Sequence, residues 1–236
     1  MLRLAVLPGI ILFFHVWRHD RIEKEPPFLL LKLVLLGGLT TISAIIIGLL
    51  GKTVVLSSLN EESILYALVD NFIITALIEE GGKYFVLKKT TWKHPAFNYT
   101  FDAVVYAVSV SLGFAIVENI LYVMDGGIAV AIARALLSVP EHAIFAVFMG
   151  FYYGAAKYTQ AIGSEKESKT NLKKALIVPV LLHGFYDFCL SVGYNILIGC
   201  FIVFEIVITI RAVKMLGRLS REDTAVFVEE QGEKPV

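Results

Sequence analysis

An excess of charge of either sign is missing from this sequence: 21 Lys and Arg offset 21 Asp and Glu, and only 18% of the 236 residues are charged. Without a basic surplus there is no electrostatic footprint for nucleic acid, and without an acidic one none for a cationic soluble partner. No nucleic-acid partner is expected. Cysteine is scarce as well: Cys189 and Cys200 both lie in apolar stretches without CxxC spacing, so they read as free, buried thiols. Also missing are a Walker-type phosphate loop, an HExxH zinc motif, a GxSxG nucleophile elbow, an internal repeat and any low-complexity tract. The common routes to nucleotide, zinc-peptidase and serine-hydrolase chemistry are therefore not signalled.

Apolar length is present in abundance. Hydrophobic residues make up 57% of the chain and the mean hydropathy is +0.72. Apolar segments fall at 2–17, 28–50, 63–87, 102–124, 128–156, 174–191 and 193–213, close to the about 20 residues needed to cross a bilayer. An all-α, polytopic membrane bundle of about seven helices is expected, in one domain over 1–216, followed by a polar cytoplasmic tail over 217–236. The first segment is short for a span, but it has no small-residue cleavage pattern before "RHDRIEKEPP" and reads as retained rather than as a signal peptide. Lys and Arg cluster after the first, third, fifth and seventh segments, while the other side carries only Arg3 and Lys52. The positive-inside bias predicts an N-terminus outside and a C-terminus in the cytoplasm. The segment 157–173 is read as a polar, mobile connection. Gly37-Gly38 and Gly150-x-x-x-Gly154 are the sites where helices can approach closely.

Against this background the stretch "FIITALIEEGGKYFVLK", residues 72–88, is an energetic anomaly. A charged group at mid-helix costs about 2.5–3.5 kcal/mol to insert, while each large apolar residue returns about 0.3–0.6 kcal/mol. Glu79, Glu80 and Lys83 together cost more than their apolar neighbours offset. Asn71, Thr75, Glu79 and Lys83 recur every four residues and form one helical stripe that must face the bundle or a wet cavity. The next three helices repeat the behaviour, with Ser111, Glu118 and Tyr122, then Arg134, Ser138 and His142, then His183, Asp187 and Ser191. At about 1.5 Å per residue, Glu79 and His183 lie roughly 13 Å from the cytoplasmic helix ends, and Glu118 and His142 roughly 22–24 Å. A layered pocket follows. Arg134 and Glu141, seven residues apart, leave a structural ion pair open, and Glu205 stands alone in the last segment.

The segments "IEEGGKYFVL", "FDAVVYAVSVSLGFAIVENILYV", "HAIFAVFMGFYYGAAKY" and "LLHGFYDF" resemble, in order, the signature segments of the PrsW family of glutamic-type intramembrane proteases. The resemblance runs from about residue 18 to residue 190. That family is distantly similar to the CAAX prenyl endopeptidases and CPBP/ABI membrane proteins, with their EExxxR, FxxxH and HxxxN motifs. Here Lys83 stands one residue earlier than the arginine, Glu118 replaces the histidine of FxxxH, and Asp187 replaces the asparagine of HxxxN. The resemblance implies a multi-pass protein of the cell membrane whose substrate is a single-pass membrane protein, anti-sigma-factor-like and cut on the extracytoplasmic side.

Amide hydrolysis needs a base for water, donors for the oxyanion and an acid for the leaving amine. Glu79 is the expected base, with Glu80 orienting it or shuttling the proton and Lys83 as its helix-turn partner. His183 is expected opposite as oxyanion or proton donor, with Asp187 one turn on fixing its tautomer. His142 and Glu118 are expected to complete the water site or to bind the substrate backbone, and Asn119 to support them. No cofactor is expected on this reading. The alternative is a divalent metal such as zinc, held by Glu79, Glu118, His142 and His183 as oxygen and nitrogen ligands. A non-enzymatic transporter or binding protein using these groups as a proton relay is the reading from another class.

Overall fold

A computed structural model describes residues 2–226. The helices are α1 (Leu2–His19), α2 (Pro27–Val55), α3 (Ile64–Leu68), a π-helical stretch (Val69–Ala76), α4 (Leu77–Thr91), α5 (Asp102–Leu136), α6 (Ser138–Ala161), α7 (Glu165–Val192) and α8 (Asn195–Arg221). Among the described residues there is no strand, only an isolated antiparallel bridge between Tyr99 and Ala225. The all-α expectation holds, and five helical stretches are long and apolar enough to cross a membrane: Leu2–His19, Pro27–Ser58, Asp102–Ala161, Glu165–Val192 and Asn195–Arg221.

The Asp102–Ala161 stretch is far longer than a bilayer is thick, and it reverses at Gly127, whose φ of 73° and ψ of −160° break α5. A side chain there would be strained, which is the use of glycine at this corner. The second part of α5 and then α6 run back along the first part: Arg134 meets Glu118, Ser111 donates to the His142 carbonyl, and Gly154 lies against the Thr100 carbonyl. This antiparallel pair is the centre of the bundle. The α5 residues from Asp102 to Ala115 are all buried.

Helix α2 packs on α5 through backbone rather than side chains. A Cβ on Gly37 would collide with the Val110 carbonyl, and one on Gly113 with that of Val34. Small residues at such a crossing bring dispersion contacts and backbone together where lipid offers no hydrophobic drive. Toward the α4–α5 connection, Leu87, Phe97, Phe101, Tyr106, Met149 and Tyr153 form a packed core. Phe97 stacks on Tyr153 at 5.4 Å and meets Tyr106 edge-on at 5.7 Å. The C-terminal half of α2 is different: Ile42, Ile46, Ile47, Leu49 and Leu50 are all at least half exposed.

Several expectations need correction. The polar stretch taken as a mobile connection is helical at both ends: α6 reaches Ala161 and α7 begins at Glu165, leaving three residues between. Ser168 donates to the Ala156 carbonyl and ties the two helices together. The tail expected from residue 217 begins later, because α8 continues to Arg221 and Val226 is buried against the chain near Asn98. Residues 227–236 of that tail lie outside the described residues. Cys189 is buried, but Cys200 is exposed on α8.

The α1–α2 connection carries two buried acids outside the spans. Glu25 accepts from the Tyr106 hydroxyl, and burial pushes its carboxyl up to about 7 although that hydrogen bond opposes the shift. Burial also raises Asp20 to about 6, with the Lys24 ammonium opposing. Asp223 is raised by burial too while it accepts from the Phe101 amide at 2.8 Å, joining the end of α8 to the start of α5.

Candidate active site

Four elements deliver the polar groups. The wide turn of the π-helical stretch precedes α4 and shifts the phase of the stripe read from the sequence: Asn71 and Thr75 lie in the π turns, Glu79, Glu80 and Lys83 in α4. Asn71 donates to the Ser191 hydroxyl at 2.8 Å and pins this turn to α7. The Phe72 ring occupies the space beside Gly184 that any side chain there would fill, so the π turn seats against the residue next to His183. An apolar sequence gives no warning of a π bulge, yet such bulges gather at functional sites.

Lys83 is the hub. Its ammonium lies 2.6 Å from Glu80 Oε1, 3.1 Å from His142 Nδ1 and 3.8 Å from Glu79 Oε2, and it stands 4.1 Å over the Phe114 ring. The sequence reading paired Lys83 with Glu79. The structure makes Glu80 its close partner, because i,i+3 and i,i+4 neighbours are both in reach and only Glu80 turns into the packed interior.

The two histidines are held in place by different partners. His183 Nδ1 lies 3.1 Å from Glu80 Oε1 and its Nε2 3.2 Å from Asp187 Oδ2, so both ring nitrogens face carboxylates, and the ring stacks on Phe145 at 5.3 Å. The Asp187 contact sits where the i+4 spacing placed it. His142 accepts at Nδ1 from the Lys83 ammonium, which leaves the proton on Nε2 to be donated to Glu118 Oε2 at 3.0 Å. The rings of His142 and His183 meet edge-on at 5.7 Å. Glu80 with His183 and Glu118 with His142 thus form two tiers bridged by Lys83.

Glu118 has a second partner that the sequence left unassigned. Arg134 donates to Glu118 Oε2 at 2.5 Å and to Asn119 Oδ1 at 3.1 Å, and lies 4.0 Å over the Tyr122 ring. The Arg134–Glu141 pair is not formed, and Glu141 lies beside Glu205 of α8 instead. Asn119 donates to the Ala5 carbonyl at 2.9 Å, so it ties α1 to α5 and fixes Arg134. Sequence spacing alone could not find the Arg134–Glu118 contact, because it depends on the reversal at Gly127.

Two cavities meet at this centre. One, of about 310 Å³, is lined by Arg134, Ser138, Glu141, His142, His183 and Asp187 among others, and the other, of about 410 Å³, lies between α2 and α5. Both are bordered by Thr75, Glu79, Glu118 and Tyr122. Glu79 Oε2 is buried and has no hydrogen-bond partner. Only the longer ion-pair contact with Lys83 reaches it, and it sits where the cavities join.

Glu79, Glu118 and His142 also offer ligand atoms within 4.8 Å of one another, a set able to hold a metal ion. His183 is outside that set, and its two nitrogens lie against Glu80 and Asp187 instead. The charges agree with room for a cation: Glu79, Glu80, Glu118 and Asp187 face only Lys83 and Arg134 as permanent cations. The donor set and the orphaned Glu79 oxygen fit a divalent ion with oxygen and nitrogen preference.

Fold and centre define a multi-pass helical membrane protein with buried carboxylates, imidazoles and an ammonium gathered at membrane depth. The family model described as "PrsW family intramembrane metalloprotease" matches residues 25–213. The chain is 38% identical to Protease PrsW of Geobacillus kaustophilus over 188 residues, covering 79% of this chain and 77% of that one. It is 34% identical to Protease PrsW of Oceanobacillus iheyensis over 226 residues, 96% of this chain and 98% of that one, and 35% identical to that of Bacillus subtilis over 191 residues, 81% and 83%. No solved structure gives a significant match. The chain belongs to the PrsW family of intramembrane proteases, and it is a multi-pass protein of the cell membrane.

Proposed function

We propose that this protein is a glutamic-type intramembrane endopeptidase that cuts a single-pass, membrane-anchored protein on the extracytoplasmic side, with an anti-sigma-factor-like protein as the substrate class. The observation that carries this reading is Glu79 Oε2, buried and without a hydrogen bond at the junction of two cavities. A water placed against that oxygen loses its proton to Glu79 as it attacks the scissile carbonyl. Glu80 does not compete for the role: its Oε1 is taken by Lys83 and His183, and its Oε2, also without a hydrogen bond, lines neither cavity. Lys83 keeps the paired carboxylates compatible with one another at 3.8 and 2.6 Å. Arg134 faces the same cavity and keeps guanidinium donors beyond those given to Glu118 and Asn119, so it stabilises the developing oxyanion. His183, held between Glu80 and Asp187, passes a proton to the leaving amine.

Seven membrane passes with the N-terminus outside accompany this reading. The α3–π–α4 run supplies one pass and the reversal at Gly127 makes Asp102–Ala161 two. The centre then opens toward the outer half, while the aromatic core around Tyr106 and Tyr153 closes the cytoplasmic half. A proton-coupled transporter needs a polar route to both faces, and that core argues against one.

A second reading rests on the ligand set and on the wording of the family description. Glu79, Glu118 and His142 would hold a divalent ion, which when bound supplies Lewis acidity toward water and the carbonyl. In that case Arg134 and Lys83 still orient Glu118 and His142 through the contacts above.

Cleavage of a single-pass substrate by the protein reconstituted in vesicles tests the proposal. Glu79→Gln is expected to lower the rate by about 10³, within the range for loss of a general base. Near-normal cleavage by that variant overturns the base assignment.

A further inference from the structure

The larger cavity extends the active site in one direction, and the residues along it define a subsite for the substrate; this rests on the peptidase reading above. On the inner half of α2, Leu29, Leu30, Leu33 and Gly37 are buried against the bundle. Past Thr41 the helix leans away. It touches the bundle again where Gly51 meets Ile74 and where Lys52 pairs with Asp70 at 3.0 Å. Between these two contacts lies a groove of about 410 Å³, walled by Thr41, Ala44 and Gly48 on α2 and by Leu121, Tyr122 and Asp125 on α5. Its inner end is Glu79 and Glu118. Its outer end is Lys52 and Asp125.

The chemistry of the walls suits an unwound peptide in lipid. Ala44 and Gly48 leave room for a backbone, and the Thr75 hydroxyl can serve backbone groups that no longer bond within a helix, while Thr41 donates to the Phe114 carbonyl. The mouth has one uncompensated charge. Lys52 is neutralised by Asp70, whereas Asp125 takes part in no ion pair among the described residues. Glu118 and Asp125 line the same groove seven residues apart on α5, a rise of about 10 Å. An extended peptide covers that distance in about three residues at about 3.3 Å each.

We propose that this groove receives the segment on the extracytoplasmic side of the scissile bond, and that Asp125 selects substrates with a Lys or Arg about three residues from that bond. Asp125 acts as a specificity residue and Gly48 as the open wall beside the peptide.

The test uses the full chain in lipid vesicles with three single-pass peptides that share an apolar segment and carry Lys, Ala or Glu in the outer flank. A Cβ at Gly48 meets nothing within 4 Å, so Gly48→Cys on a Cys200→Ser background accepts an environment-sensitive fluorophore, with Cys189 buried and unlabelled. Saturable fluorescence change, strongest for the Lys peptide, is expected. Asp125→Lys should invert the preference between the Lys and Glu peptides by about tenfold, and Asp125→Asn should abolish it. Charge-selective binding at position 48 without cleavage of any peptide keeps the groove and Asp125 as a peptide-binding site and overturns the peptidase reading. No saturable change with any peptide, or a charge preference that Asp125→Lys leaves untouched, overturns the proposal whatever the cleavage result.

Discussion

Lys83 and Glu80 form an ion pair of 2.6 Å between side chains that are each 1% exposed, one helical turn apart on α4. Removing one member leaves the other charged and dry. Glu80→Ala is therefore expected to cost about 3–5 kcal/mol of stability. Glu79→Gln removes no hydrogen bond from Oε2 and should cost below about 1 kcal/mol. Thermal unfolding in detergent separates the two, and replacing both Glu80 and Lys83 by apolar residues should recover most of the loss.

Arg134 reaches Glu118 and Asn119 through two different nitrogens. Arg134→Met should lower kcat/KM by about 10²–10³, as expected for loss of an oxyanion donor. Arg134→Lys should restore only part of it, because an ammonium cannot span both partners with a fixed fork. Full recovery with lysine would remove Arg134 from the role given to it.

Metal dependence has a direct measurement. With glutamate as the base, cleavage after exhaustive chelation stays within about twofold of the untreated rate. Loss of activity that one divalent metal restores, together with loss of bound metal in Glu118→Gln, assigns Glu79, Glu118 and His142 as ligands instead.

The connection between α1 and α2 should make stability depend on pH. Glu25 and Asp20 are shifted upward to about 7 and about 6, so the folded chain binds more protons than the unfolded one between the ordinary carboxylate range and neutrality. Their contribution is complete at low pH and is lost as pH rises through about 6 to about 7. The melting temperature is expected to fall between about pH 4 and about pH 7, by about 2–4 °C for each kcal/mol lost. Glu25→Gln should flatten that slope, and an unchanged slope would show that the acid does not control it.

The membrane class, the all-α architecture and the polar residues of the centre were legible because insertion energetics punish any unneeded charge. Glu79, Glu80, Glu118, His142 and His183 stand out against apolar neighbours for that reason alone, and periodicity put His183 and Asp187 on one face. What pattern could not supply was phase and pairing between helices. The π turn over Val69–Ala76 has the composition of any apolar helix, so the α-helical stripe through Asn71 and Thr75 drifts out of register before Glu79. The choice of Glu80 over Glu79 as the partner of Lys83, and of Glu118 over Glu141 as the partner of Arg134, depends on which side chains turn inward after the helices pack. The sequence by itself determined that a costly set of charges must be buried together in a membrane. Packing in three dimensions set which of them satisfy one another and left Glu79 Oε2 without a hydrogen bond where the two cavities join, because that is settled by contacts between residues far apart in the chain.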